Sequence, residues 1–219
     1  MAFAEDGTPF RAHVMDGDPH LMVIAGENAS GKSLFFRLLA LRLHADGLTP
    51  VQISIRERTG SGTYEMAEFR RHVMFGDEHE QSTGATSVRT IANAFERNLA
   101  REGGTVLLLD EPELGLSDAY AAAMGTWIGE QTRARASECA GVVVVTHSRT
   151  LVGALGAAYG QVPTFVATGA TVNLDEWLTT PEVRSVLDLL ALPEVGLERW
   201  RWVKAGAQAA TSRGRGRQG

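Results

Sequence analysis

A glycine-rich segment near the amino terminus constrains this chain more than any other feature. It follows the pattern G-x-x-x-x-G-K-S and consists of Gly26, Glu27, Asn28, Ala29, Ser30, Gly31, Lys32 and Ser33. A short apolar run at 21–25 precedes it, and leucines and phenylalanines at helical spacing over 34–43 follow it. Glycines let such a loop curl so that its N–H groups and the helix N-terminus point at phosphate oxygens. The segment therefore predicts a strand, a phosphate-binding loop and a helix.

Two side chains of this loop have expected roles in binding a nucleotide. Lys32 is expected to reach the β- and γ-phosphates, and the hydroxyl of Ser33 to ligate Mg²⁺. We include the next residue, Leu34, among the nucleotide-contacting residues. ATP with Mg²⁺ is the predicted ligand.

A pair of carboxylates follows a continuous apolar run at 105–109. Runs of this kind are typical of strands that a parallel sheet buries on both faces, and such sheets assemble sites at the carboxyl ends of their strands. Asp110 is expected to hold the Mg²⁺ shell, and Glu111 to orient or deprotonate the attacking water. For the pair taken alone, solvent-facing carboxylates or a cap of the next helix would be the better interpretation, but beside a phosphate loop we favour the catalytic one.

A second buried strand is predicted at 142–146, and it delivers His147 to the same edge. A histidine there can sense the γ-phosphate. A histidine is more often a helix cap or a hydrogen-bonding residue of the core. Its position after a strand that follows the carboxylate pair distinguishes His147 from the other histidines.

The remaining pattern predicts an α/β fold. We expect a strand at 51–55, helices at 64–75, 86–101, 119–136, 147–158 and 181–192, and a closing hairpin formed by 164–166 and 171–174 around Gly169. In the helix at 86–101 the residues expected to point inward are Val88, Ile91, Ala92, Phe95 and Leu99.

The order of these motifs resembles that of the ABC-type ATPases over about residues 20–150. The run from Asp110 to Ser117, D-E-P-E-L-G-L-S, is most similar to the soluble branch that includes the recombination-repair and SMC-type ATPases. The resemblance implies a P-loop NTPase with an ABC-ATPase-like mixed sheet, a parallel core flanked by helices and a very small helical subdomain. It also implies a homodimer with ATP sandwiched between the subunits.

Within that resemblance, Ser82, Thr83 and Gly84 correspond to the signature motif that closes over ATP bound to the second subunit, and Ser117 and Asp118 to the D-loop. The sequence Q-S-T-G-A at 81–85 lacks the usual double glycine and trailing glutamine, and an N-cap and turn before a helix explains it equally well. Gln52 is the candidate Q-loop residue.

For the residue that would stack on adenine, Phe10 is preferred to Phe3. The short middle region leaves no room for a long coiled coil and little for a transporter-contacting helical subdomain.

Three segments are predicted: an ATPase domain at 1–180 with its helical and signature insert at 56–102, a C-terminal helix and appendage at 181–211, and a disordered Arg/Gly tail at 212–219. Trp177, Trp200 and Trp202 are interpreted as packing or partner-contact residues. The tail could be a solvated extension or an arm that binds DNA, and the first is favoured.

The composition indicates a cytoplasmic protein. The chain has 219 residues, a formal net charge of -5 and one cysteine, Cys139, with no leader segment. Its apolar runs are too short to span a bilayer, so no direct membrane insertion is expected. The charge gives no global argument for nucleic-acid binding.

The leading hypothesis is an ATPase that hydrolyses ATP at a dimer interface in a DNA-related or partner-regulating process. A second hypothesis is an ATP-dependent binding module that regulates a protein partner with slow turnover. A transporter's nucleotide-binding subunit and a P-loop kinase rank lower.

Overall fold

The computed structural model describes residues 12–54, 83–98, 104–134, 140–169, 172–181 and 183–215, with only the backbone at 97–98 and 206–215. The described ranges contain six strands: β1 Ala12–Met15, β2 Asp18–Gly26, β3 Thr49–Ile53, β4 Thr105–Asp110, β5 Gly141–Thr146 and β6 Pro163–Thr168. The helices of these ranges are α1 Lys32–Ala45, α2 Thr83–Asn98, α3 Asp118–Ala134, α4 Arg149–Tyr159, α5 Leu174–Thr179 and α6 Val186–Arg215.

The strands form one mixed sheet in the order β1-β6-β2-β5-β4-β3. All neighbouring pairs are parallel except β1 with β6, which is antiparallel. The fold is therefore an α/β fold with a mostly parallel six-stranded sheet flanked by helices. Because the parallel strands run in one direction, the ends of β2, β4 and β5 all lie at the same edge.

Side chains alternate between two apolar clusters, one on each face of the sheet. On β4, Leu107 and Leu109 belong to the cluster on the face of α2 to α5, while Val106 and Leu108 belong to the cluster on the face of α1. The central strands are buried on both faces, which explains their uninterrupted apolar runs. Among the described residues, no helix has both the length and the apolar character needed to cross a membrane.

The structure corrects several details of the sequence interpretation. The expected closing hairpin is wrong: β6 lies between β1 and β2, and Leu174 begins α5 because Asn173 accepts a hydrogen bond from the Glu176 N–H and caps that helix. In α2, Ile91 and Phe95 are buried as expected, but Val88 is 45% exposed. The inward face of α2 passes instead through Ser87, Ile91 and Ala94.

Two predicted boundaries at the carboxyl end also change. The last helix begins at Val186, since Ser185 and Asp188 cap its start through reciprocal hydrogen bonds. It continues to Arg215, through part of the tail that was expected to be disordered. The predicted helix at 64–75 lies outside the described residues.

Helices α3 and α4 approach closely because α3 carries two glycines one turn apart on the facing side. A Cβ on Gly129 would come within 2.6 Å of the Leu155 carbonyl oxygen, and one on Gly125 would collide with the carbonyl oxygen of Leu151. These are backbone atoms, so the neighbouring helix would have to shift.

We expect Gly125→Ala to lower the free energy of unfolding by about 1–3 kcal/mol, the usual cost of overpacking. Gly156→Ala in α4 is the matched control, since a Cβ there meets no atom within 4 Å. The control should be neutral or more stable by up to about 1 kcal/mol, because alanine favours the helix over glycine. Urea titration of both variants tests this, and equal stabilities would contradict it.

Candidate functional site

The predicted functional side chains meet at the carboxyl edge of the sheet. Strand β5 lies between β2, which leads into the phosphate loop, and β4, which ends at Asp110. In the pairing register Ala25 faces Thr146, and Asp110 faces Val145, so the three strands end at the same level. Neighbouring strands are about 4.8 Å apart, so the ends of β2 and β4, on either side of β5, are about 10 Å apart.

The loop between β2 and α1 has an unusual backbone that only part of its sequence explains. Gly31 is the N-cap of α1 with a φ of 105°, and no side chain caps the helix. Ala29 also has a positive φ, 59°, which is uncommon outside glycine. A Cβ on Gly26 would come within 2.7 Å of Ser30 Oγ, so a side chain at that position would displace the loop.

The side chain of Lys32 folds back onto the backbone of this loop. Its side chain is buried, and its Nζ donates hydrogen bonds to the carbonyl oxygens of Gly26 at 2.8 Å and Glu27 at 2.9 Å. Burial lowers the pKa of Lys32, while nearby carboxylates, of which Glu111 has the largest effect, act in the opposite direction. The ammonium group is therefore held inside the loop by these two carbonyl oxygens. An anion bound there could take their place as its hydrogen-bond acceptor.

The back of the loop is fixed by a contact that sequence reasoning missed. Ser30 Oγ and Thr168 Oγ1 are 2.6 Å apart, and Thr168 Oγ1 donates to the Ala25 carbonyl oxygen at 3.1 Å. Thr168 is the last residue of β6 and is buried. The sequence signal was a polar residue ending an apolar strand, but only the pairing of β6 with β2 shows that it reaches the loop.

Glu111 contacts His147 across the strand ends. Glu111 Oε1 lies 3.3 Å from His147 Nδ1, and the Glu111 N–H donates to the Val145 carbonyl oxygen at 2.8 Å. The backbone of Glu111 has a φ of 49°, a conformation that costs free energy for a non-glycine residue. The turn after β4 therefore holds the carboxylate towards the end of β5.

A third carboxylate, Glu113, lies behind this pair. It is 7% exposed, and its Oε1 accepts a hydrogen bond from Thr146 Oγ1. The same oxygen is 3.8 Å from His147 Nδ1, while Oε2 is buried with no hydrogen-bond partner among the described residues. Glu113 has no role that the sequence alone indicates, because a glutamate after a proline has no distinct signal of its own.

Asp110 and Ser33 supply a carboxylate and a hydroxyl at the same edge. Asp110 ends β4 and is half-buried, whereas Ser33 lies exposed in the first turn of α1. In the described ranges no cluster of three or more His, Cys, Asp or Glu could hold a metal by itself. This donor set fits Mg²⁺, which usually takes one or two protein ligands and completes its shell with phosphate oxygens and water.

Of the predicted signature residues, the described part of the chain contains Thr83 and Gly84, and Ser82 lies outside it. Both residues are in the first turn of α2 and not in a loop before it. A Cβ on Gly84 would come within 2.6 Å of the Gly115 carbonyl oxygen, and Ser87 Oγ donates to the Leu114 carbonyl oxygen at 3.2 Å. The start of α2 therefore packs on the turn that follows Glu111.

The other predicted residues do not join this cluster in the described ranges. Gln52 lies within β3, the edge strand beyond β4, where it pairs with Leu108. Phe3 and Phe10 lie outside the described residues. Trp177 is buried and packs against Phe165, as expected for a packing residue.

A cavity of about 230 Å³ borders the opposite side of the phosphate loop. Its wall includes Glu27, Asn28, Arg149 and Trp177, but not Lys32 or Asp110. Arg149 spans it: Nε donates to the Trp177 carbonyl oxygen at 2.6 Å, and a guanidinium nitrogen lies 3.8 Å from Glu27 Oε1. Arg149, two positions after His147, thus connects the phosphate loop to α5.

Comparison with known proteins does not assign the chain to a family: no protein-family model matches it, and no curated protein matches it significantly.

Removal of the Thr168 hydroxyl should destabilise the protein. In Thr168→Val the Ala25 carbonyl and the Ser30 hydroxyl lose a buried partner, which should lower the free energy of unfolding by about 1–3 kcal/mol. The matched control is Thr126→Val on α3, whose hydroxyl is exposed and donates within the helix. Its effect should remain within about 0.5 kcal/mol. Chemical denaturation of both variants measures the difference, and an unaffected Thr168→Val protein would contradict the assigned contact.

The contact with Glu111 should make His147 titrate at a higher pH than an ordinary histidine. The hydrogen bond to Glu111 is the main cause of the raised pKa, burial opposes it, and the charge of Glu113 adds to the increase. Because the folded-state pKa is raised, the resulting stability is present below the unfolded pKa of about 6.5 and is lost as pH rises through the folded value.

NMR titration of the His147 ring should show a lower pKa in Glu111→Gln than in the wild type. Glu130→Gln on the exposed face of α3 is the control and should leave the titration unchanged. An identical His147 pKa in all three proteins would show that the contact with Glu111 is not formed in solution.

Proposed function

We propose that this chain is an ABC-type P-loop ATPase that binds ATP with Mg²⁺ and hydrolyses it at the interface of a cytoplasmic homodimer. The observation that carries the proposal is the arrangement at one sheet edge. Lys32 in its loop, the carboxylates of Asp110 and Glu111, and His147 come from three different strand ends. Those are the groups that phosphoryl transfer to water requires: phosphate binding, metal binding and water activation.

In the proposed binding step, the phosphates of ATP enter the loop between Gly26 and Ser33. The loop N–H groups and the start of α1 bind the β-phosphate, as helix N-termini do with anions. Lys32 exchanges its two backbone carbonyl partners for the β- and γ-phosphate oxygens. Ser33 and the shell around Asp110 would hold Mg²⁺, which would neutralise charge that develops on the phosphates.

The position of β5 supports the proposed water-activation step. The ends of β2 and β4 are about 10 Å apart with β5 between them, and this spacing supports a γ-phosphate and an attacking water placed between the phosphate loop and the β4 carboxylates. In the described state the carboxylate of Glu111 is held by His147. We propose that His147 turns to the γ-phosphate when ATP binds, which frees Glu111 to accept a proton from the attacking water.

The proposed dimer uses Ser82, Thr83 and Gly84 of one subunit against the ATP of the other. The contact of Gly84 with Gly115 supports this, because it joins the start of α2 to the turn leading to Ser117 and Asp118. A movement of the turn after Glu111 would therefore shift the proposed signature residues as well. Such a link could couple hydrolysis in one subunit to contacts with the second.

The contact between Glu111 and His147 also supports the second hypothesis, a regulatory binding module with slow turnover. A carboxylate engaged by a histidine is a poor base until that contact is broken. In this alternative, ATP-dependent dimerisation controls a protein partner and hydrolysis resets it. The ATPase rate with and without a candidate partner distinguishes the two, since only the regulatory module should be slow in both conditions.

Glu111→Gln should lower kcat at least about 100-fold, the usual lower range for losing a general base, while ATP binding persists. In light scattering, this variant should double its mass on addition of Mg-ATP, because the sandwich forms but cannot be hydrolysed. Lys32→Ala in the same background should abolish that change by removing a phosphate contact.

Glu130→Gln is the control for these measurements, since it makes the same chemical change on exposed α3, away from the strand ends. It should turn over ATP at the wild-type rate. Wild-type turnover by Glu111→Gln would refute the assignment of the base. A Glu111→Gln protein that binds ATP and stays at its nucleotide-free mass would refute the role of Ser82, Thr83 and Gly84.

A further inference from the structure

Glu113 is a buried carboxylate that none of the catalytic steps above uses. Its side chain has lost contact with water, yet Oε2 has no hydrogen-bond partner within the described ranges. An incomplete set of partners is unfavourable for a buried charged group. A group of this kind, placed beside a site, can be one that gains a partner during function.

The other oxygen of Glu113 is fixed by the end of β5. The hydroxyl of Thr146, which is fully buried, donates to Glu113 Oε1 and accepts from the Ser148 N–H at 2.9 Å. The hydroxyl therefore has both a donor and an acceptor partner. Because Thr146 and Ser148 flank His147, these hydrogen bonds also fix Glu113 relative to the histidine.

The His147 ring lies between two carboxylates. Its Nδ1 is 3.3 Å from Glu111 Oε1 and 3.8 Å from Glu113 Oε1. A carboxylate oxygen can accept two hydrogen bonds, so Glu113 Oε1 can accept one from His147 in addition to the one from Thr146. A movement of about 1 Å would bring Nδ1 within ordinary hydrogen-bonding distance of this oxygen.

The three charged side chains differ in their freedom to move. His147 is half-exposed and Glu111 is partly exposed, whereas Glu113 is buried and anchored by Thr146. Glu111 also has a positive φ, a conformation that costs free energy for a non-glycine residue. His147 and Glu111 are therefore the groups that can rearrange, while Glu113 keeps its position.

We propose that Glu113 is a positioning residue, which accepts the Nδ1–H of His147 when Glu111 turns to the attacking water. This inference rests on the proposed function. With Nδ1 held by Glu113, the ring can donate from its other nitrogen, Nε2, to the γ-phosphate. A ring that donates from both nitrogens is positively charged. The negative charge of Glu113 favours this state, because it raises the pKa of His147.

The exchange of acceptors is tested first without nucleotide, by a double-mutant cycle on the pKa of His147 measured by NMR titration. Glu111→Gln weakens the first acceptor, because an amide oxygen accepts a weaker hydrogen bond than a carboxylate. Nδ1 should then move to Glu113. Glu113→Gln should therefore lower the His147 pKa more in the Glu111→Gln protein than in the wild type.

Glu130→Gln, on the exposed face of α3, is the matched control and should leave the His147 pKa unchanged in both backgrounds. Equal effects of Glu113→Gln in the two backgrounds would overturn the proposal. They would show that Glu113 acts as an independent charge and not as the alternative acceptor.

ATP turnover tests the same role in the reaction. Carboxylates that hold a metal-binding histidine through its second ring nitrogen contribute about 10–100-fold to activity, and Glu113→Gln should lower kcat by a similar factor. The KM for ATP should stay unchanged, since the exchange follows nucleotide binding. A Glu113→Gln protein with the kcat of the wild type would also overturn the proposal.

Thr146 provides a pair of variants that leaves Glu113 itself in place. Thr146→Val removes the hydroxyl that anchors Glu113 and keeps the shape of the side chain, so kcat should fall. Thr146→Ser keeps the hydroxyl and should restore turnover. If Glu113→Gln does not fold, this pair decides the question, and equal rates for the two Thr146 variants would refute the role of Glu113.

The two proposals fail in different ways. A wild-type protein that does not hydrolyse ATP would refute the proposed function, while the nucleotide-free NMR cycle would still show whether Glu113 accepts the Nδ1–H of His147. Hydrolysis by the wild type, with an unchanged rate in Glu113→Gln, would refute only the role of Glu113.

Discussion

The central position of β5 is the constraint on which the rest of the site depends. Inserted between β2 and β4, it sets the separation of the phosphate loop from the Asp110 and Glu111 carboxylates. Its apolar side chains also enter both clusters of the core, with Val144 on one face and Val145 on the other. The strand that stabilises the middle of the sheet therefore fixes the distance across the site, and His147 follows directly from its end.

Opposite charges interact at this edge of the sheet, and a charged ligand could replace some of these interactions. Lys32 is surrounded by the fields of Glu111, Glu27, Asp110 and Glu113, and His147 contacts two of these carboxylates. Lys32 and Glu113 are the buried members of this set, and burial of such groups is unfavourable unless they are paired. A polyphosphate with Mg²⁺ brings both signs of charge, so it could replace these internal pairs without leaving a buried charge uncompensated. Within the described ranges Glu113 Oε2 is buried without a hydrogen-bond partner, so the present pairing is incomplete there.

Contacts around the phosphate loop link the site to the part of the chain that follows β5. Ser30 is tied to β6 through Thr168, and Glu27 is near Arg149, which in turn contacts Trp177 of α5. Arg149 lies two residues from His147, so one short segment contacts the proposed catalytic groups and the C-terminal region. This arrangement gives the appendage after β6 a physical connection to the loop.

The sequence by itself determined the elements whose signal is local. The phosphate-loop pattern, the two apolar strands ending at Asp110 and His147, and the helices after them follow from spacing and hydrophobicity, since each needs only residues adjacent in the chain. Only the tertiary structure decided the order of strands, the pairing of β6 with β2, and the contacts of Thr168 and Glu113. These join residues more than 30 positions apart, as with Thr146 and Glu113 or Ser30 and Thr168. The expected hairpin near Gly169 failed for the same reason, because strand pairing is decided by which neighbour completes the buried sheet, and a local pattern does not contain that information.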